Sequence, residues 1–199
     1  VINGKVNYIV TLGTTGETAT LTEEEKIAVL EYTYKKVNGR VPIVVGIGGN
    51  NTKEIINTIQ RWPIANVSAI LSVSPYYNKP PQEGIYQHYK YLVSVSPLPI
   101  ILYNVPGRTS GNILPNTAVR LANEFSHIVA IKEASGNMKQ CMEYVQSAPS
   151  HFAVLSGDDD LIVPQAAIGF SGVISVAANC FTKDFCSMVS AALNNDFTT

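Results

Sequence analysis

Lys132 is the residue of this chain best suited to covalent chemistry. It ends the apolar run 127–132, HIVAIK, which is otherwise fit only for a protein core. Burial disfavours the charged ammonium and lowers the pKa of a lysine, and a neutral amine is the nucleophile that forms a Schiff base with a ketone. A lysine that lies along a strand end and extends its ammonium into water is the structural alternative.

Other polar residues follow apolar runs at the same relative point. Thr14 and Thr15 come just after the first run, Tyr103 ends the fourth, and Arg108 lies five positions further on. A phenol can transfer protons, while hydroxyls, backbone N–H groups and a guanidinium bind carboxylates. Taken alone, Tyr103 is better interpreted as a core tyrosine and Arg108 as a surface cation, while the threonines fit turn caps and binding groups equally well. Their joint occurrence at matched strand ends favours catalysis.

The elements that must position these residues are seven short β-branched runs, separated by helical patterns. Each run is almost continuously apolar, which is typical of parallel strands covered by helices. Such a series predicts an α/β protein. The runs are 8–12, 43–47, 69–73, 100–103, 128–132, 152–156 and 172–176.

Two features favour a (β/α)8 barrel over a doubly wound sheet. Useful polar residues follow nearly every strand, where a barrel has its active site. No Gly-rich phosphate loop follows the first strand, and the run 46–49, GIGG, after the second strand lacks the third glycine of a dinucleotide fingerprint. A closed barrel needs eight strands, and the first residues read as the tail of a helix. We therefore expect a single, partial barrel domain over residues 1–199, without its first strand and its C-terminal helical region.

Helix starts are recognisable between the strands. Thr22 opens the sequence TEEE, which predicts a capping box, and Asn51 is expected to cap the next helix in the same manner. The acidic run 158–160 is better explained by the start of a helix than by a metal site. Thr182 is expected to cap the last helix.

Composition excludes several classes of protein. The formal net charge is −1 and the basic residues are scattered, so no nucleic-acid partner is expected. No apolar stretch approaches the roughly 20 residues of a membrane span. Cys141, Cys180 and Cys186 lack CxxC spacing and suit a reducing compartment. We expect a cytoplasmic protein without membrane partners, although the chain does not start with Met and an earlier targeting segment stays possible.

Five motifs occur in the order seen in one enzyme family: 13–17 GTTGE, 76–80 YYNKP, 103–109 YNVPGRT, 131–136 IKEASG and 156–159 SGDD. With them the chain resembles the class I pyruvate-dependent aldolases over its whole length. The resemblance is closest to the branch that condenses pyruvate with L-aspartate 4-semialdehyde in the diaminopimelate–lysine pathway. It implies a lyase with a barrel fold, a homotetramer built from tight dimers, and no metal or organic cofactor.

The resemblance also implies catalytic roles. Lys132 would form the Schiff base with pyruvate, and Tyr103 would move protons beside it. Thr14 would pass protons between Tyr103 and Tyr77, and Tyr77 would reach into the site of the neighbouring subunit. Thr15 would hold the pyruvate carboxylate.

Further positions are assigned in the same way. Arg108 would receive the carboxylate of the semialdehyde, and Gly157 and the main-chain carbonyl of Ile174 would line the pocket. Asn50, Glu54 and Tyr76 match positions of a lysine-effector site in some relatives. Glu23 and Lys26 stand where sensitive bacterial enzymes can carry histidines, so feedback inhibition is expected to be weak or absent.

Two alternatives stay open on the sequence alone. Another class I pyruvate aldolase, such as an N-acetylneuraminate lyase, would share the lysine and the tyrosine. A non-catalytic pyruvate-binding barrel would share the scaffold. Arg108 and the YYNKP stretch favour the enzyme that acts on a short acidic aldehyde.

Overall fold

The computed structural model describes residues 1–198, which form seven β-strands and eight α-helices in alternation. The strands are β1 Ile9–Thr11, β2 Ile43–Gly46, β3 Ala69–Val73, β4 Ile100–Asn104, β5 Ile128–Glu133, β6 Ala153–Ser156 and β7 Gly172–Val173. The helices are α1 Glu23–Val37, α2 Thr52–Arg61, α3 Gln82–Val95, α4 Pro106–Thr109, α5 Pro115–Glu124, α6 Met138–Ser147, α7 Ile162–Ala167 and α8 Thr182–Leu193. Short 3₁₀ turns are Ile2–Gly4, Thr14–Gly16, Thr18–Thr20 and Ala177–Asn179.

All seven strands run parallel and neighbour one another in chain order, from β1 to β7. The sheet curls into seven strands of a (β/α)8 barrel, which confirms the predicted fold class. The predicted runs all become strands, with ends shifted by up to three residues. Parallel pairing brings every carboxyl end to the same edge of the sheet, and this edge is where the polar residues of the sequence collect.

Side chains separate into two apolar layers because successive residues of a strand point to opposite faces. The layer inside the curl includes Leu71, Ile101 and Tyr103. The larger layer between sheet and helices includes Leu102 and Ile131, both fully buried. Burial of each such side chain contributes roughly 1.5–3 kcal/mol, so packing on both faces holds the strands that carry the polar edge.

A β-bulge interrupts the pairing of β4 with β5. Ile100 pairs with Ile128, but the next residue, Ile101, pairs with Ala130, which leaves Val129 as an extra residue in β5. Beyond the bulge, Tyr103 pairs with Lys132. The bulge thus sets which residue of β5 stands beside the tyrosine.

Two of the predicted helix starts are confirmed. The Thr22 hydroxyl accepts from the Glu25 N–H, and the Glu25 carboxylate accepts from the Thr22 N–H, which completes the capping box. The Asn51 side chain accepts from the Lys53 N–H at 3.1 Å and caps α2, while the reciprocal bond from Glu54 that would complete a capping box is not formed among the described residues.

The other two helix starts were wrong. The helix α7 begins at Ile162, so the acidic run 158–160 lies in the preceding turn. The Asp158 and Asp159 carboxylates accept from backbone N–H groups outside that helix. The helix α8 includes Thr182 itself. The Thr182 hydroxyl donates to the Ala178 carbonyl at 2.6 Å, so it cannot serve as the expected acceptor cap.

Within residues 1–198, none of the helices combines the length and the apolar character that crossing a bilayer requires.

Candidate active site

A cavity of about 1320 Å³ extends along β1 and α8 and reaches the carboxyl ends of the strands. Its wall includes the lysine at the end of β5 and the tyrosine near the end of β4, together with residues from the turns after β1, β4, β6 and β7. Seven predicted site residues line it: Thr14, Thr15, Tyr103, Arg108, Lys132, Gly157 and Ile174.

The Lys132 amine is buried at this cavity. The residue is only 8% exposed, and burial lowers its pKa from the usual 10.5 to about 8. The carboxylates of Asp159 and Asp158 oppose this shift, and the Arg108 guanidinium adds to it. A substantial fraction of the amine is therefore neutral, and nucleophilic, near physiological pH.

Tyr103 lies directly beside the amine. The Lys132 Nζ is 4.4 Å from the centroid of the Tyr103 ring. Burial raises the pKa of the phenol, while a hydrogen bond with the Thr14 side chain and the charge of Arg108 lower it and the charge of Asp158 raises it. The pKa stays above its usual value, so the phenol holds its proton at neutral pH and can donate it to a leaving hydroxyl.

The turn that carries Thr14 depends on an unusual backbone. Leu12 adopts a left-handed conformation with φ 55°, which a bulky residue rarely takes. Its carbonyl packs on Gly46 of β2, where any Cβ would collide with the Leu12 oxygen. The chain thereby leaves β1 at a sharp angle and places the 3₁₀ turn Thr14–Gly16 at the cavity.

Gly157 provides space for the lysine side chain. A Cβ at this position would lie 2.9 Å from the Lys132 Cε and 2.6 Å from the Ala134 Cβ. The Gly157 N–H donates to the Glu133 carbonyl at 2.7 Å. The absence of a side chain here lets the turn after β6 approach β5 while the lysine keeps its extended path into the cavity.

The chain matches the model of the dihydrodipicolinate synthetase family over residues 1–199. It belongs to the dihydrodipicolinate synthetase family. A curated relative from Flavobacterium psychrophilum, named 4-hydroxy-tetrahydrodipicolinate synthase, is 50% identical over 193 residues, which are 97% of this chain and 66% of that protein. The chain thus spans just under two thirds of the length of this relative.

Solved structures of the family have nearly the same fold as this chain. A dihydrodipicolinate synthase from Acinetobacter baumannii, complexed with pyruvate, has a TM-score of 0.93 and 42% identity, covering 98% of this chain and 67% of that one. The enzyme from Cyanidioschyzon merolae, with lysine bound, has a TM-score of 0.92 and 36% identity, covering 97% of this chain and 65% of that one.

Tyr77 is the one predicted catalytic residue that the structure does not bring to the cavity. Its side chain is 88% exposed, and its backbone is left-handed with φ 69°. Asn50 and Glu54 line a second, smaller cavity of about 240 Å³, where Lys26 is also found. Tyr76 is exposed and lies outside the lining of both cavities.

Two acidic residues near the lysine were missed by the sequence analysis. Asp158 lines the cavity and accepts from the Gly136 N–H, and burial raises its pKa. The Asp159 carboxylate accepts from the N–H groups of Val176 and Ala177, at 3.0 and 2.7 Å, and so ties the turn after β6 to the turn after β7. The SGDD motif carries the signal for both residues, but its composition also fits the start of a helix.

Glu133, next to Lys132, was also given no role. It is fully buried, although an acidic residue at a strand end is usually exposed. Strand alternation was the signal that could have placed it on the face opposite the lysine. Among residues 1–198, no cluster of three or more His, Cys, Asp and Glu side chains is arranged to hold a metal ion.

The lowered pKa of Lys132 predicts how the reactivity of this amine toward pyruvate should depend on pH. The rate of adduct formation with pyruvate should rise with pH and level off above about 8, because the neutral amine is the reacting form. At one unit below that pKa, about a tenth of the plateau rate is expected. Borohydride trapping over the range from about pH 6 to about pH 10 measures the profile. A rate that still rises about tenfold per unit at the alkaline end of that range would contradict it.

Proposed function

We propose that this protein condenses pyruvate with L-aspartate 4-semialdehyde, the activity of a 4-hydroxy-tetrahydrodipicolinate synthase. The observation that carries the proposal is the buried Lys132 amine, 4.4 Å from the Tyr103 ring, in a cavity that Arg108 also lines. The name of the Flavobacterium relative and the pyruvate complex of the Acinetobacter enzyme support it.

The reaction starts with the attack of the neutral Lys132 amine on the pyruvate ketone. Tyr103 donates a proton to the hydroxyl of the carbinolamine, which leaves as water and gives the iminium ion. Thr14, which hydrogen-bonds the phenol, returns a proton to it. Thr15 lies next to Thr14 in the same turn and holds the pyruvate carboxylate through its hydroxyl and N–H.

Loss of a methyl proton from the iminium ion gives an enamine, whose carbon attacks the aldehyde of the second substrate. Arg108, on the short helix α4 at the cavity, binds the carboxylate of that substrate. The amine of the substrate then displaces Lys132 and closes the ring. Gly157 and the main-chain carbonyl of Ile174 form part of the cavity wall around the adduct.

Tyr77 acts across a subunit interface in this proposal. An aromatic side chain that is 88% exposed, next to a second tyrosine at 38%, is a common composition for an interface. We assign Tyr77 to the proton relay of a neighbouring subunit, within a homotetramer of tight dimers. Cytoplasmic location completes the proposal, and the three free cysteines support a reducing compartment.

The smaller cavity is the candidate lysine-effector site. Asn50 and Glu54 offer polar and acidic groups to the amines of such a ligand, and the Cyanidioschyzon enzyme has been solved with lysine bound. Lys26 adds a positive charge to the same cavity. This charge opposes a cationic ligand, so inhibition by lysine is proposed to be weak or absent.

A comparison of two aldehyde substrates on the full-length protein tests the function. The kcat/KM for aspartate semialdehyde, with pyruvate saturating, should exceed that for N-acetylmannosamine by on the order of 100-fold or more, because Arg108 is placed for a carboxylate. The matched variant Arg108→Leu should raise the KM for the semialdehyde. Preferential turnover of the sugar would assign the protein to the neuraminate lyases instead. A pyruvate complex without turnover of either aldehyde would indicate a binding protein.

A further inference from the structure

Behind the active site lies a buried carboxylate that the proposed reaction does not use. Glu133 directly follows Lys132 in β5 and is fully buried. Since neighbouring residues of a strand point to opposite faces, Glu133 faces the helices while Lys132 faces the cavity. Within residues 1–198, no basic side chain forms an ion pair with it.

Neutral groups satisfy this carboxylate. Glu133 Oε1 accepts from the Ser135 N–H at 2.8 Å. Glu133 Oε2 accepts from Asn104 Nδ2 at 2.8 Å and from Gln140 Nε2 at 3.4 Å. Burial raises the pKa of Glu133 above its usual value, and these hydrogen bonds offset part of that rise. Both carboxylate oxygens of Glu133 therefore face N–H donors. Only a side chain with a hydrogen-bond acceptor at both of its end atoms can satisfy these donors.

The orientations of the surrounding amides are fixed by the backbone. Asn104 Oδ1 accepts from the Ile113 N–H at 2.9 Å, so its Nδ2 must point toward Glu133 and Asn112. Asn112 and Gln140 form a reciprocal amide pair, at 2.8 and 3.1 Å. A network with every donor and acceptor assigned has one low-energy arrangement, and a single reversed group leaves buried polar atoms unpaired.

This network supports the backbone that carries three residues of the cavity: Lys132, Tyr103 and Arg108. In the pairing of β4 with β5, Asn104 and Glu133 are the pair that follows Tyr103 and Lys132. The hydrogen bond between the Asn104 and Glu133 side chains therefore fixes the register of the two strands at the reacting groups. The bonds to Asn112 and Ile113 anchor the chain that follows the helix carrying Arg108.

We propose that Glu133 is a positioning residue of the active site: its hydrogen bonds to Asn104 and Gln140 hold Lys132 against Tyr103. The proposal rests on the Schiff-base function described above. Glu133 touches no reacting atom, and its effect on the reaction is exerted through the backbone of β5. Misplacement by about 1 Å can slow a reaction on the order of 100-fold, so loss of this network has a measurable kinetic consequence.

The test begins with Glu133→Gln in the full-length protein. The substitution keeps the size of the side chain but points an amide donor at the donor of either Asn104 or Ser135. The rate of borohydride-trappable adduct formation at saturating pyruvate should fall at least tenfold, with little change in the pyruvate concentration for half-saturation. Ile59→Ala, a cavity variant in the helix between β2 and β3, controls for lost stability and should keep the wild-type rate.

A complementary double variant separates positioning from general loss of structure. In the double variant Asn104→Asp with Glu133→Gln, the acceptor and the donor exchange places. The carboxylate introduced on β4 still accepts from the Ile113 N–H, and the Asn112–Gln140 pair can turn over to match. The double variant should recover most of the wild-type rate. This arm remains decisive if Glu133→Gln alone does not fold.

The outcomes are distinct. A wild-type rate in Glu133→Gln, or a double variant no faster than Glu133→Gln, overturns the positioning role. An equal loss in Ile59→Ala would assign the effect to stability and also overturn it. Absence of a trappable adduct in the wild-type protein would instead refute the proposed function, whatever the variants do.

Discussion

Lys132→Met should abolish the pyruvate adduct and reduce turnover by about 10⁴-fold or more, because the substitution removes the buried amine that is proposed to form the imine bond while the neighbouring binding groups remain. The methionine keeps the unbranched side chain beside Gly157, so the packing of the cavity wall is retained. Borohydride reduction followed by peptide mass mapping measures the adduct. Lys139→Ala, at an exposed position of α6, serves as the control and should trap pyruvate like the wild type.

The same variant should not lose stability at neutral pH. The folded-state pKa of Lys132 is lowered from 10.5 to about 8, so protonation opposes folding by about 3 kcal/mol at pH values below the folded pKa. This cost is fully present there and disappears as the pH rises through the folded pKa toward the unfolded one. The methionine side chain carries no such cost, so the midpoint of thermal unfolding at neutral pH should equal or exceed that of the wild type. A variant that unfolds instead would show that the lysine is structural.

Tyr103→Phe should slow imine formation by about 10²- to 10⁴-fold, the range for removal of a general acid. The ring that packs beside the lysine amine is retained, so pyruvate binding should change little and the loss should fall on the maximal rate. Stopped-flow measurement of adduct formation with increasing pyruvate separates the two quantities. The plateau above a pH of about 8 should persist at a lower level, since the lysine still titrates.

Tyr34→Phe provides the matched loss of a hydroxyl. The Tyr34 hydroxyl donates to the Pro63 carbonyl at 2.7 Å, away from the cavity, and its removal should leave the adduct rate unchanged. An unaltered rate in Tyr103→Phe would remove the phenol from the reaction and leave Thr14 or a solvent proton as the donor.

Most of the fold could be predicted because its signals are local. Continuous apolar runs indicate strands that are buried on both faces. The parallel order of the strands follows from the alternation of strands and helices along the chain. The start of α1 was readable because Thr22 and Glu25 bond each other's backbone three residues apart. The shared location of seven candidate site residues could be predicted, since the strand ends of a curled parallel sheet share one edge.

What could not be predicted depends on contacts between distant parts of the chain. The acidic run 158–160 has the composition of a helix start, but the Asp159 carboxylate is used instead by the N–H groups of Val176 and Ala177, 17 and 18 positions later. The role of Glu133 was hidden for the same reason, because its partners Asn104 and Gln140 come from two other elements. Local sequence patterns do not indicate hydrogen-bond partners that are distant in the chain.

The extra residue at Val129 has a consequence for how this protein can vary. The side-chain period of a strand is two, so a change of one residue in length turns every later side chain to the opposite face. The bulge avoids this outcome, because Val129 and Ala130 both pack on the layer inside the curl, and Ile131 then returns to the helix layer. One extra residue is thus accommodated in the first half of β5 without redirecting the amine or the carboxylate of Glu133, whereas an insertion between the bulge and Lys132 would exchange their faces.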